Sequence, residues 1–164
     1  MYILKPNSIY NLLLPILMVS DGSLTRQLEI LTQSSIQTLY TLNSDISCSN
    51  AKKDLFCNVI REIYLINRDG DKLVYAVSWW ISNIHIHNID YIINNIPIGK
   101  YFIENRIDFY KDIISIHLLY SDNYRTIFFK QGPYWSRYYL LYLDKQAVAI
   151  FLEIFSPKLL DYFY

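Results

Sequence analysis

VIREIYLINRDGDKLVYAVSWW, residues 59–80, decides the fold. Two β-prone runs, Phe56 to Ile66 and Lys72 to Ile81, flank Asn67-Arg68-Asp69-Gly70-Asp71. An Asp-Gly pair between such runs is the strongest short-range hairpin signal, because the turn needs the positive φ that glycine supplies freely. Side chains alternate along a strand, so Arg61 shares a face with Val59, Ile63 and Leu65. The same reading applies near the C-terminus, where Trp135 to Leu143 and Ala147 to Phe155 turn at Asp144-Lys145-Gln146. There Glu153 shares a face with Ala149, Phe151 and Phe155. Each charge is thus placed in apolar surroundings, where an uncompensated ion costs several kcal/mol. A mutual ion pair, or pairing with a neighbour such as Glu62 or Arg137, is the structural explanation; a shared anionic ligand is the functional one.

Outward from these hairpins, helical patterning covers Asn7 to about Val19 and Ser23 to about Thr32, joined at Asp21-Gly22 with Ser23 or Asp21 as cap. A short β-prone run follows at Ile36 to Leu42. His87 to Asn95 reads as a helix stopped by Pro97. Ile113 to Tyr120 reads as a further strand, with a loop around Asp122-Asn123. Adjacent strands with short turns favour an antiparallel sheet, and with the helices gathered at the start and middle the class is α+β. No linker-like or low-complexity stretch interrupts residues 1–164, which read as one domain.

The composition narrows the function. The chain has 164 residues, is 52% hydrophobic and carries no formal net charge, so no basic stripe recommends a nucleic-acid partner. Tyr (sixteen), Ile and Asn are abundant while Gly is scarce, a bias of AT-rich codons that points to an organelle or another AT-rich source. The apolar run Ile9 to Val19 is too short to span a bilayer and contains Pro15, so it reads as a core helix and no membrane partner is expected. Cys48 and Cys57 match neither a redox pair nor a zinc spacing. His85 and His87, with His117 as the third histidine, lack the neighbouring thiolate or carboxylate that a metal site uses and read as surface residues. Trp79-Trp80 and Tyr138-Tyr139 each put one ring on either face, which suits core packing better than a stacking platform. No P-loop, GxGxxG or GxSxG sequence is present.

Four ordered segments together resemble the chorismate lyase (chorismate pyruvate-lyase) family, especially its uncharacterised plastid-encoded and bacterial branch. They are Asp21-Gly22-Ser23-Leu24-Thr25-Arg26, Ile60-Arg61-Glu62-Ile63-Tyr64-Leu65, Pro97-Ile98-Gly99-Lys100-Tyr101-Phe102 and Leu152-Glu153-Ile154-Phe155-Ser156-Pro157. The Asp-Gly hairpin after the arginine strand and Trp135-Ser136-Arg137 before the last hairpin also match in order. The resemblance runs from about residue 10 to 160 and implies an antiparallel sheet of about six strands with helices covering a buried ligand pocket. It implies conversion of chorismate to 4-hydroxybenzoate and pyruvate with no cofactor and no metal. It also implies a small-molecule aromatic carboxylate as partner and a plastid location, with the cytoplasm as the alternative.

By the same resemblance, Arg61 binds the ring carboxylate, Glu153 meets the 4-oxygen, and backbone amides at Leu24 and at Ile98-Gly99 complete the site. A benzoate carboxylate and its para oxygen are roughly 6 Å apart, so with hydrogen bonds of about 2.8 Å the two protein groups are expected on the order of 10 Å from each other. An apolar setting is expected to raise the Glu153 pKa, which would let it shuttle a proton. Two departures stand out. Val77 replaces a basic residue of bacterial chorismate lyases, and the stretch from Ile103 to Tyr134 is longer than theirs. Chorismate has a second carboxylate, on its enolpyruvyl arm, for which Lys100, Arg137 and Arg125 are the candidates. A non-catalytic binder of aromatic carboxylates and a structural or assembly factor are the competing functions.

Overall fold

The computed structural model describes residues 14–41, 59–81 and 97–163. Six strands form a single antiparallel sheet: β1 (Gln37–Tyr40), β2 (Val59–Ile66), β3 (Lys72–Trp80), β4 (Phe109–Leu119), β5 (Tyr134–Leu143) and β6 (Gln146–Phe155). Their order across the sheet is β1-β2-β3-β6-β5-β4. The two long hairpins therefore lie side by side, joined where β3 pairs with β6. Three α-helices, α1 (Leu24–Thr32), α2 (Ile98–Glu104) and α3 (Asp122–Phe128), accompany the sheet, together with a helical segment at 14–19 and a 3-10 helix, Pro157–Phe163. The class is α+β with an antiparallel sheet of six strands, as the hairpin reading expects.

Turn chemistry fixes both hairpins. Gly70 sits at φ 83 in the β2–β3 turn, and the Asn67 side chain accepts from the Asp71 amide at 2.8 Å. Buried Asn67 also donates through Nδ2 to the Tyr162 hydroxyl at 2.6 Å, so one residue shapes the turn and docks the C-terminal 3-10 helix. The β5–β6 turn has only two residues outside the strands, Asp144 (φ 46) and Lys145 (φ 65). Both lie in the left-handed region that two-residue hairpins demand, here without glycine. Gln146, expected in the turn, is the first residue of β6.

One sheet face holds the main core. Leu14, Met18, Leu24 and Leu28 from the N-terminal helices pack against Leu65, Val74 and Phe155. Farther along the same face, Ile98 and Phe102 of α2 pack with Trp80, Leu141 and Phe151. Helix α1 starts at the expected cap: the Ser23 hydroxyl accepts from the Arg26 amide. The opposite face is covered in part by α3, whose Tyr124 and Phe128 meet Tyr75, Tyr134 and Ile154.

Three elements differ from the sequence reading. The strand expected over Ile113 to Tyr120 begins at Phe109, because a bulge between Ile113 and Ser115 breaks the alternation that would have shown its first half. The loop expected at Asp122-Asn123 is the start of α3, which is short and held by aromatic packing rather than by a side-chain cap. Past Pro97 the chain enters α2 directly, with Pro97 itself as N-cap. The expected helix His87 to Asn95, the pairs His85/His87 and Cys48/Cys57, and the first half of the N-terminal helix lie outside the described residues.

Candidate functional site

Strand register assembles the site. Arg61 on β2 pairs with Ser78 on β3, which pairs with Phe151 on β6, which pairs with Tyr139 on β5. One step along, Ile63, Ala76, Glu153 and Arg137 form the next row. Directly paired residues point to the same face, so Arg61 and Glu153 look into the same space from strands separated by β3. Two strand spacings of about 4.8 Å and an offset of two residues place their Cα atoms roughly 12 Å apart. No ion pair joins them; Glu153 pairs with Arg137 instead.

The space they face is a partly open cavity between the sheet and the first turns of α1 and α2. Leu24, Arg61, Ile98, Gly99 and Glu153 all line it. Leu24 and Ile98 are the first residues of α1 and α2, where backbone N–H groups have no acceptor within the helix. Gly99 brings the two helix starts together, since a Cβ there would stand 3.0 Å from the Ser23 hydroxyl. Phe151 and Tyr139 form an apolar wall, stacked at 5.0 Å and 3°.

Among the described residues, four charged side chains are buried on this face: Arg61 (3% exposed), Lys111 (7%), Arg137 (0%) and Glu153 (5%). Arg61 donates from Nη2 to the Tyr40 hydroxyl at 3.0 Å, and its guanidinium lies 5.2 Å from the Tyr40 ring centre. Burial lowers its pKa, with the Tyr40 hydrogen bond acting the other way; an arginine stays charged regardless. Glu153 accepts from Arg137 Nε at 2.6 Å and from the Tyr139 hydroxyl at 2.9 Å. Arg137 in turn donates from Nη1 to the carbonyls of Leu17, Met18 and Ser20. It therefore ties the sheet to the N-terminal helical segment.

These partners correct one expectation. Burial alone would raise the Glu153 carboxyl, but the Arg137 and Lys111 charges and the hydrogen bonds from Arg137 and Tyr139 hold it below its ordinary value. At neutral pH Glu153 is an ionised acceptor, not a proton donor. Tyr139, wholly buried and beside that carboxylate, is pushed well above the usual tyrosine range and donates.

Of the cations considered for a second carboxylate, Lys100 is exposed, Arg125 is exposed on α3 beside a different depression, and Arg137 does not line the cavity. Lys111 does. Its Nζ donates to the Gly22 carbonyl at 2.7 Å and stands 5.2 Å from the centre of the Tyr139 ring. Burial lowers its pKa to about 8. Sequence reasoning missed it because the bulge after Ile113 hides that Phe109 and Lys111 share the inner face. Val77 pairs with Glu62 and Leu152, on the face away from the cavity, so its lack of charge takes nothing from the site. Among the described residues no cluster of His, Cys, Asp and Glu could hold a metal, and no helix is long and apolar enough to cross a membrane.

Comparison with known proteins agrees with this architecture. A family model described as "Chorismate pyruvate-lyase Rv2949c-like" matches residues 18–163. The chain is 36% identical over 159 residues to "Uncharacterized protein ycf21" of Porphyra purpurea, covering 94% of this chain and 89% of that one. It is 32% identical to the protein of the same name from Pyropia yezoensis (96% and 91% covered) and 33% identical to that from Cyanophora paradoxa (86% and 75%). The match spans both hairpins and every described wall of the cavity, and by it the chain belongs to the Rv2949c-like chorismate pyruvate-lyase family.

Proposed function

We propose that the protein is a carbon–oxygen lyase that converts chorismate to 4-hydroxybenzoate and pyruvate in this cavity. One observation carries the reading: Arg61 and Glu153 face one cavity from non-adjacent strands, without pairing to each other. A benzoate spans roughly 6 Å from carboxylate to para oxygen, and with a hydrogen bond of about 2.8 Å at each end it calls for two poles on separate strands, not in contact. Arg61 offers the ring carboxylate a planar fork of donors. The backbone N–H groups of Leu24 and of Ile98-Gly99 add uncharged donors around it. Glu153 has used one lone pair on each oxygen for Arg137 and Tyr139, and the remaining ones can accept from the 4-hydroxyl.

The reaction breaks the bond from C3 to the ether oxygen and removes the C4 proton, leaving an aromatic ring. Atoms and oxidation state balance without an outside electron donor or acceptor. Aromatisation supplies the driving force, so the protein's task is to orient the ring and keep water out. An ionised Glu153 beside C4 fits the role of proton acceptor, and the proton it takes balances the one that the departing enolpyruvate gains at its methylene carbon in becoming pyruvate. We place the protein in the plastid, in keeping with the plastid-encoded relatives that it resembles and with its composition rich in Ile, Asn and Tyr.

Incubation of the purified protein with chorismate, followed by chromatography for 4-hydroxybenzoate, tests the proposal. Folded protein that makes no product above the uncatalysed background would overturn it. The second reading, a non-catalytic binder of aromatic carboxylates, draws on the closed Arg137–Glu153–Tyr139 network, which holds Glu153 without any substrate. Calorimetric binding of 4-hydroxybenzoate in the absence of turnover would select it.

A further inference from the structure

We infer that Lys111 is the binding residue for a second carboxylate, so that the cavity is built for dicarboxylates whose second acid group sits on an ether arm. The inference extends the proposed function by naming the pole for the enolpyruvyl arm of chorismate. Three observations support it. First, sheet order puts β6, which bears Glu153, two strands from β2 with Arg61 and two strands from β4 with Lys111. The two cations therefore approach Glu153 from opposite sides. Second, Lys111 lines the same cavity as Arg61 and Glu153, while the other candidate cations do not. Third, among the described residues no carboxylate lies within ion-pair distance of Lys111, and its hydrogen bond goes to one neutral acceptor, the Gly22 carbonyl.

An ammonium has three donors, and Lys111 commits one of them to Gly22. Burying such a cation without a carboxylate in contact costs several kcal/mol, which the nearby charges of Glu153 and Asp21 offset only in part. A ligand carboxylate that reaches it recovers part of that cost. Chorismate has the right disposition: its ring acid is para to the 4-hydroxyl, and its ether arm leaves the adjacent C3. With the ring acid at Arg61 and the 4-oxygen at Glu153, a ring turned about its C1–C4 axis so that C3 faces β4 sends the arm toward Lys111. The Tyr139 ring lies under the ammonium and borders the same path.

The experiment compares two stable probes by calorimetry, 4-hydroxybenzoate and 3-(carboxymethoxy)-4-hydroxybenzoate, on the wild type and on Lys111→Met, Lys111→Gln and Lys111→Arg. The wild type is expected to bind the dicarboxylate at least tenfold more tightly than the monocarboxylate. Lys111→Met should erase that preference while holding 4-hydroxybenzoate within threefold, and Lys111→Arg should restore most of it. Lys111→Gln keeps a donor for Gly22 and decides the matter if Lys111→Met does not fold. A wild type without the preference, a preference that survives in Lys111→Met or Lys111→Gln, or an equal loss of both ligands would each overturn the inference. Turnover is read separately. A Lys111-dependent preference without lyase activity defeats the proposed reaction and leaves the dicarboxylate site standing, whereas turnover indifferent to Lys111 does the reverse.

Discussion

Arg137→Met isolates the contact on which the Glu153 site depends. The substitution keeps an unbranched side chain but removes the charge that bonds Glu153 at 2.6 Å and the donor to three carbonyls near residues 17–20. Removing one partner of a buried ion pair strands the other and costs about 3–5 kcal/mol. Lost hydrogen bonds to the carbonyls add up to about 1 kcal/mol each where water cannot replace them. A loss of about 4–6 kcal/mol is expected, which at a urea slope of about 2 kcal/mol/M lowers the unfolding midpoint by about 2–3 M. The double variant Arg137→Met/Glu153→Gln no longer strands the Glu153 charge and should regain about 2 kcal/mol or more over the single one.

The pH dependence has opposite signs in the two proteins. In the wild type the Glu153 carboxyl lies below its unfolded value, so its contribution is present above about pH 4.3 and is lost as pH falls through the folded pKa. In Arg137→Met burial acts with less opposition and drives the carboxyl up. The folded variant then binds a proton that the unfolded chain has released, and the penalty relative to wild type shrinks as pH falls toward about 4.3. Urea titrations at several pH values read both effects. A single variant that loses less than about 1.5 kcal/mol at pH 7, or a double variant no more stable than the single, would refute Arg137 as the support of an ionised Glu153.

Other substitutions address the ligand and the turns. Arg61→Ala should weaken 4-hydroxybenzoate by at least 100-fold in calorimetry, since two charge-assisted hydrogen bonds contribute about 3–6 kcal/mol; binding within fivefold of wild type would remove Arg61 from the site. The kcat/KM profile for chorismate should fall on its basic side near the Lys111 pKa of about 8, with Tyr139, Arg137, Glu153 and Asp21 as the other described groups that set it. Lys111→Arg should carry that limb out of range, and an unmoved limb would assign it to another group. Lys145→Gly relieves a side chain held at φ 65 and should stabilise by about 0.5–1 kcal/mol, raising the melting midpoint by about 1–4 °C. A lowered midpoint would show that the Lys145 side chain itself holds the turn.

What the sequence disclosed follows from how local each signal is. Asp69-Gly70 and the alternation around Arg61 and Glu153 are written within about ten residues, and the hairpins and their inner faces were legible from them. Leu24, Arg61, Ile98, Gly99 and Glu153, drawn from four separate segments, come together on one cavity; their parts in binding belong to the proposed function. Lys111 was hidden because the bulge after Ile113 shifts the period midway along β4. The ionised state of Glu153 was hidden for a different reason. Whether burial or pairing governs a carboxyl depends on which strand lies alongside, and Arg137, sixteen residues away in sequence, faces Glu153 only because β5 and β6 pair in that register. An apolar pattern around a charge reports the burial, and it leaves Arg137 as one candidate partner among several until the strand register selects it.

Charge bookkeeping across the cavity gives the proposed reaction a direction. Arg137 and Glu153 form an ion pair, while Arg61, which also donates to Tyr40, and Lys111 line opposite walls. A dianion such as chorismate meets both. In the proposed reaction, cleavage of the ether divides those two carboxylates between separate molecules, so each product would be held by one pole where the substrate would be held by two. Losing one desolvated charge contact typically weakens binding by about 2–5 kcal/mol, enough to favour departure of both products over retention. On the proposed reaction, walls that select a dicarboxylate would thus favour the release of its two monocarboxylate products.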